Sequence, residues 1–327
     1  MSYDKSVVIP VDIDTAFELI TRPERLRRWK TVAARVDLRV GGEYRWTIVP
    51  GYSAAGSFKE VEPGKRVVFS WGWEGSPDLP PGASTVTITL EPTEGGTAVR
   101  LVHDGLTDEQ AASHADGWNH YLDRLVTVAT TGDVGPDPWA ATPEDLDELS
   151  CAEATLAGMQ RVLRGVTGAD LDRHTPCTEF TVARLADHVV DGLTGLGAVA
   201  GGSVEAPPPS AAATVESRIA DVAQQVLESW RARGLDGSVP FGDGEMPAAT
   251  AAGILSVEFL VHGWDFATAT DQRFPVSDEV AEYVLGLAQR VISPSSRAGG
   301  DFADEVSAAP GADALERLVA FTGRKPG

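Results

Sequence analysis

Glu258 and His262 stand four residues apart inside AATAAGILSVEFLVHGWDFATAT, residues 248–270, a segment apolar on almost every side. A helix apolar all round is a buried one. At about 100° per residue, Ile254, Leu255 and Val261 fall at about 0°, 100° and 340°, Glu258 at about 40°, His262 at about 80° and Asp265 at about 20°. All three ionisable residues therefore point into the apolar arc. Buried glutamate is rare unless it is paired or metal-bound. Glu and His at i, i+4 project side by side from successive turns, as a metal ion requires of one helix. A third donor is His188, at the edge of the apolar stripe Val182, Leu185, Val189 and Leu193 of an earlier helix. His₂Glu with open positions is the pattern of catalytic divalent-metal sites rather than structural ones. Spacing alone leaves a second reading open: His188 as a half-buried core residue, and Glu258 with His262 as a buried ion pair. Asp265 also has two readings, as acceptor for the imidazole N–H of a ligand or as a group facing a polar cavity.

Other reactive residue types carry weaker signals. Cys177 precedes the helix of His188 and reads as a small thiol packed at a helix start; Cys151 reads as core. Trp264 packs, or lines a pocket beside His262. Trp46, Trp71 and Trp73 lie on strands, where they line a ligand cavity or fill the core. His103, His114 and His120 are too scattered to make a site. The basic run RPERLRRWK (22–30) reads as a solvated helix surface. No phosphate-binding glycine loop, GxSxG elbow or dinucleotide fingerprint occurs.

The elements that must position these residues differ between the two halves of the chain. In residues 1–135, Val36, Leu38 and Val40 alternate with polar residues, as do Tyr44, Trp46 and Ile48, then Val67, Phe69, Trp71 and Trp73, then Val86, Ile88 and Leu90, and finally Val99 and Leu101. Period-two patterning marks antiparallel strands with one buried face. Two short helices over 12–30, split at Pro23, follow the first strand. Thr107 and Gln110 form a capping box that opens a long helix to about 130. A curved sheet folded around such a helix leaves a cavity between them. The second half has helical spacing: a helix from Thr142 to about Val166, others at about 181–200, to about Arg233, 247–270, 278–292 and 312–323. A Pro- and Ala-rich linker occupies 206–213, and a loop is expected through 242–247. Four long helices suggest an antiparallel bundle. The domains are thus read as 1–133 and 142–327, joined by a linker at 134–141, the class being α+β.

Charge narrows the partners. Lys and Arg number 27 against 48 Asp and Glu, net −21, of which −16 falls in residues 136–327. So acidic a chain repels nucleic acid and anionic membranes. No apolar run approaches the roughly 18 residues of a membrane span. The N-terminus lacks a signal layout, which points to the cytoplasm. Two cysteines are too few for a disulfide framework or a Cys-rich zinc site.

VVIPVDIDTAFELITRPERLRRW, the strand series and DGWNHYLDRLVTVAT resemble the START-like superfamily, in the branch related to the activator of the heat-shock chaperone ATPase; the likeness covers about residues 3–131. It implies a helix-grip fold that binds a hydrophobic small molecule. PCTEFTVARLADHVVDG, followed by SVEFLVHGWDFATATDQ and the ending GADALERLVAFTGRKP, resembles the DinB-like four-helix-bundle superfamily that includes the mycothiol-dependent maleylpyruvate isomerase, over about 142–326. That resemblance implies that His188, Glu258 and His262 bind zinc or a similar divalent ion, and that a low-molecular-weight thiol is a co-substrate; the Ala-, Gly-, Asp-, Val- and Arg-rich composition is compatible with a high-GC actinobacterium, whose thiol would be mycothiol. The isomerase continues into a sterol-carrier-like domain that this chain lacks, so its particular reaction is not implied. Two functions follow: a metal- and thiol-dependent transferase or isomerase, or a non-catalytic carrier with a structural metal. A fourth protein ligand would favour the carrier.

Overall fold

Alternation of apolar and polar residues in the first half is realised as one antiparallel sheet of seven strands: β1 (Tyr3–Ile9), β2 (Ala33–Val36), β3 (Glu43–Val49), β4 (Tyr52–Glu62), β5 (Arg66–Trp71), β6 (Ser84–Thr93) and β7 (Gly96–Asp104). Their order is β1-β7-β6-β5-β4-β3-β2, so the first strand pairs with the last and the rest are neighbours in sequence. The computed structural model describes residues 2–206, 213–299 and 302–326. It divides into two units, Met1–Asp137 and Pro138–Gly327.

Between β1 and β2 lie α1 (Ile13–Thr21) and α2 (Pro23–Leu26). The Asp12 carboxylate caps α1 by accepting from the Thr15 N–H at 2.8 Å. α3 (Asp108–Thr131) opens on the expected Thr107/Gln110 capping box and ends at Gly132, whose φ of 79° is cheap only for glycine. Its buried face, Trp118, Tyr121, Leu122, Leu125 and Val128, repeats every three or four residues. That face packs on the sheet, with Trp118 5.2 Å from Trp71 between ring centroids.

Three readings of this unit need correction, and one strand, β4, has no counterpart among them. The strand over Val36–Val40 stops at Val36, because Asp37–Gly42 folds into a turn through Gly41 at φ 79° and leaves Val40 exposed. β4 has no alternating signature, because Ala54, Ala55, Gly56 and Ser57 are small; a Cβ at Gly56 would lie 2.1 Å from the Ser70 carbonyl oxygen, so the close pass to β5 requires glycine. Trp73 lies beyond the end of β5, tied by a single bridge to Ala54. The basic run 22–30 is not wholly solvated: Arg27 and Lys30 are only 5% and 4% exposed. Pro23 restarts the chain as one tight turn, which carries Leu26, Trp29 and Lys30 inward together.

The second unit is helical: α4 (Glu148–Leu163), α5 (Val182–Val199), α6 (Val215–Arg233), α7 (Ala248–Ala269), α8 (Asp278–Val291), α9 (Pro294–Gly299) and α10 (Ala314–Phe321). α7 packs against α4, α5 and α8, while α6 packs against α4 and α5. α4 starts later than Thr142, because the Asp147 carboxylate accepts from the Leu149 and Ser150 N–H groups and so fixes the cap there. Instead of a loop, 238–247 forms a hairpin, β8 (Ser238–Phe241) and β9 (Gly244–Pro247), turning at Gly242 with φ 57°. Most of the linker expected at 206–213 lies outside the described residues. Among those described, no helix is long and apolar enough to cross a membrane.

Candidate metal centre

α5 begins where the Thr181 hydroxyl caps it, and buries Val182, Leu185, Ala186, Val189, Val190 and Leu193. This phase leaves His188 exposed on the flank that meets α7. One turn on, Gly192 keeps that flank open: a Cβ there would come 3.8 Å from Glu258 Oε2. On α7, Glu258 is half-buried and His262 buried, their Oε2 and Nε2 atoms 3.4 Å apart. One donor atom each from His188, Glu258 and His262 lies within 4.8 Å of the other two. The His188 and His262 rings meet edge to face, 5.2 Å apart at 88°. Phe180, in the turn before α5, stacks on the outer side of His188 at 4.9 Å.

Asp265 sits against the imidazole of His262. Its Oδ2 lies 3.1 Å from His262 Nδ1, and since a carboxylate only accepts, Nδ1 carries the proton. Arg324, in the tail after α10, holds the same carboxylate with two hydrogen bonds: Nη2 to Oδ2 at 2.8 Å and Nε to Oδ1 at 3.2 Å. Asp265 is wholly buried and Arg324 nearly so. Arg324 carries no signal in the sequence beyond its place in the GRKP ending, since it lies 59 residues from its partner.

These contacts set the protonation of the cluster. Burial works against charge on His262, but the Glu258 carboxylate and the hydrogen bonds to Asp265 and Glu258 outweigh it and raise its pKa to about 9. Burial would raise Glu258, yet His262, His188 and Arg324 hold it below the usual carboxylate range. Asp265 is lowered likewise, against burial, by its bonds to His262 and Arg324. His188 is lowered by burial and by the neighbouring His262 charge.

The donor set fits a divalent ion. Tetrahedral bonds of about 2.0–2.2 Å separate ligand atoms by about 3.3–3.6 Å, and Glu258 and His262 already stand at 3.4 Å. The Asp265 bond to Nδ1 turns Nε2 toward Glu258, and once that nitrogen loses its proton the arrangement is that of metal-binding histidines backed by a carboxylate. Cys177 lies nearer than the sequence suggested: its half-buried thiol, raised by burial, feels the charges of Arg324, Asp265 and Glu258. Trp264 is half-buried against the helical core. Trp46 and Trp71 are buried in the first unit, and Trp73 is half-buried beside them.

Comparison with known proteins follows this division. The family described as Activator of Hsp90 ATPase homolog 1-like protein matches residues 10–130. The Mycothiol maleylpyruvate isomerase N-terminal domain matches 152–267, a span that holds all three candidate ligands. Uncharacterized protein Rv0738 of Mycobacterium tuberculosis is 29% identical over 181 residues, covering 55% of this chain and 98% of that protein. The AHSA1-like protein of Rhizobium etli, a solved structure, is 38% identical over 45% of this chain and 92% of its own, with a TM-score of 0.36. DynU16, from the dynemicin biosynthetic locus, is 22% identical over 40% of this chain with a TM-score of 0.37, and the chain spans only 48% of its length.

Proposed function

We propose, for a chain that carries an activator of Hsp90 ATPase homolog 1-like domain followed by a mycothiol maleylpyruvate isomerase N-terminal domain, that it is a divalent-metal-dependent enzyme of the transferase or isomerase type. Its first unit binds a hydrophobic small molecule, and its second uses a low-molecular-weight thiol such as mycothiol. The observation that carries this reading is the meeting of His188, Glu258 and His262 within 4.8 Å. Zinc suits a His₂Glu set best. When bound, such an ion supplies Lewis acidity and lowers the pKa of a thiol or water toward neutrality.

The residues around it have distinct tasks. Asp265 holds the His262 tautomer, and Arg324 keeps Asp265 ionised and in place. Phe180 fixes the plane of His188 by stacking. Among the described residues the cluster offers three ligands, which leaves room for a small molecule, and the exposure of His188 gives it a way in. This supports the enzyme over the carrier. Cobalt substitution tests the reading: titrating the cobalt-loaded chain with mycothiol or cysteine should produce a thiolate-to-cobalt charge-transfer band. A loaded chain whose spectrum ignores both thiols would leave the carrier with a structural metal.

A further inference from the structure

Lys30 is a buried charged group that the fold of the first unit leaves unexplained. It is 4% exposed, and its Nζ stands over three indole rings, 4.1 Å from Trp46, 4.5 Å from Trp118 and 5.0 Å from Trp71 between amine and ring centroid. Among the described residues no carboxylate, carbonyl or hydroxyl accepts a hydrogen bond from it. Two of the same indoles are incomplete as well: the buried Nε1 atoms of Trp46 and Trp71 have no acceptor.

The neighbouring acceptors are already spent. Trp118 Nε1 donates to His103 Nδ1 at 3.1 Å, so the His103 proton sits on Nε2 and points to Ser84 at 2.8 Å. Trp73 Nε1 donates to His114 Nε2 at 3.3 Å, and His114 Nδ1 donates to the Gln110 carbonyl at 2.8 Å. The interior therefore ends in N–H donors with nothing to receive them. Cation–π contact offsets only part of the loss of water around an ammonium, and a buried donor without an acceptor is destabilising.

We infer that Lys30, with the free indole N–H groups of Trp46 and Trp71, is the anion-binding end of a ligand site in the first unit, and that its ligand is a small carboxylate on an aromatic body. The ligand oxygens supply the acceptors that the protein lacks, and the surrounding aromatic cluster gives an aromatic body apolar contacts. Burial alone holds the Lys30 pKa well below the usual lysine range, a preference that a bound carboxylate reverses. This deepens the small-molecule reading of the first unit and rests on it.

The test uses matched acids and amides on the full chain: benzoate and benzamide, cinnamate and cinnamamide, 2-naphthoate and 2-naphthamide, followed by tryptophan fluorescence. At least one acid should bind about tenfold or more tighter than its amide, as a charge-assisted hydrogen bond implies. In Lys30→Met that preference should vanish while the amide affinity stays. The wild-type comparison stands even if the variant fails to fold. Equal binding of acid and amide would overturn the anion site and leave the small-molecule reading intact. Failure of all six compounds to bind at about 1 mM would overturn both. Neither result bears on metal content, which tests the second unit separately.

Discussion

Asp265 shows what a single buried carboxylate does at this centre. It accepts from His262 Nδ1, and Arg324 holds it from behind. Asp265→Asn should leave the ion bound but loosen it about 10- to 100-fold, as loss of a ligand-orienting partner does; competition with a chelating dye measures this. Protonation gives a second prediction. The raised His262 pKa, about 9, means that its ion pairs stabilise the metal-free chain fully below about pH 6.5 and are lost as pH rises through 9. A metal needs the neutral ring, so its affinity moves the opposite way. His188, lowered below its ordinary value, has no proton to give up near neutrality. Zinc affinity should therefore climb about tenfold per unit from about pH 7 toward 9, a slope of one proton and not two; a dye competition series reads it. Glu258 and His262 were legible because an i, i+4 pair in an apolar helix is a local pattern. Arg324 was not, since nothing local ties it to Asp265, and Lys30 was hidden in a run whose composition looks solvated.

At the scale of elements, an ion held by His188, Glu258 and His262 would tie α5 to α7, two helices already packed together. Chelation should therefore lower the melting temperature as well as empty the site. A ligand at a hundredfold its Kd contributes about 2.7 kcal/mol, a shift of several degrees that a thermal melt with and without EDTA resolves. An unchanged melt would mean that the three side chains do not hold the helices through an ion. Helix starts were legible wherever a cap stood beside the apolar stripe, as at Thr107 and Thr181. The start of α4 is not legible locally, because Thr142-Pro143 imitates a cap that Asp147 provides. β4 stayed invisible because strands built from Ala, Gly and Ser are specified by their neighbours and not by their own alternation.

The whole molecule joins a sheet-and-helix unit to a helical one, and the change in hydrophobic period between the halves made that division legible. Each unit has its own buried cluster, one around Trp46, Phe69 and Leu125, the other around Leu156, Trp230 and Phe259. We propose that the halves fold independently. Fragments 1–133 and 140–327 should each unfold cooperatively in urea, with EDTA shifting only the second; aggregation of both would refute independence. At the heart of the second unit we propose one divalent ion held by His188, Glu258 and His262. Elemental analysis of the zinc-loaded full chain beside His262→Ala, with circular dichroism to verify the fold, tests it most directly. About one ion per chain is expected in the wild type and none in the variant, because two remaining ligands hold zinc poorly. A folded His262→Ala chain that keeps a full equivalent of metal, or a wild type that takes up none, would contradict it.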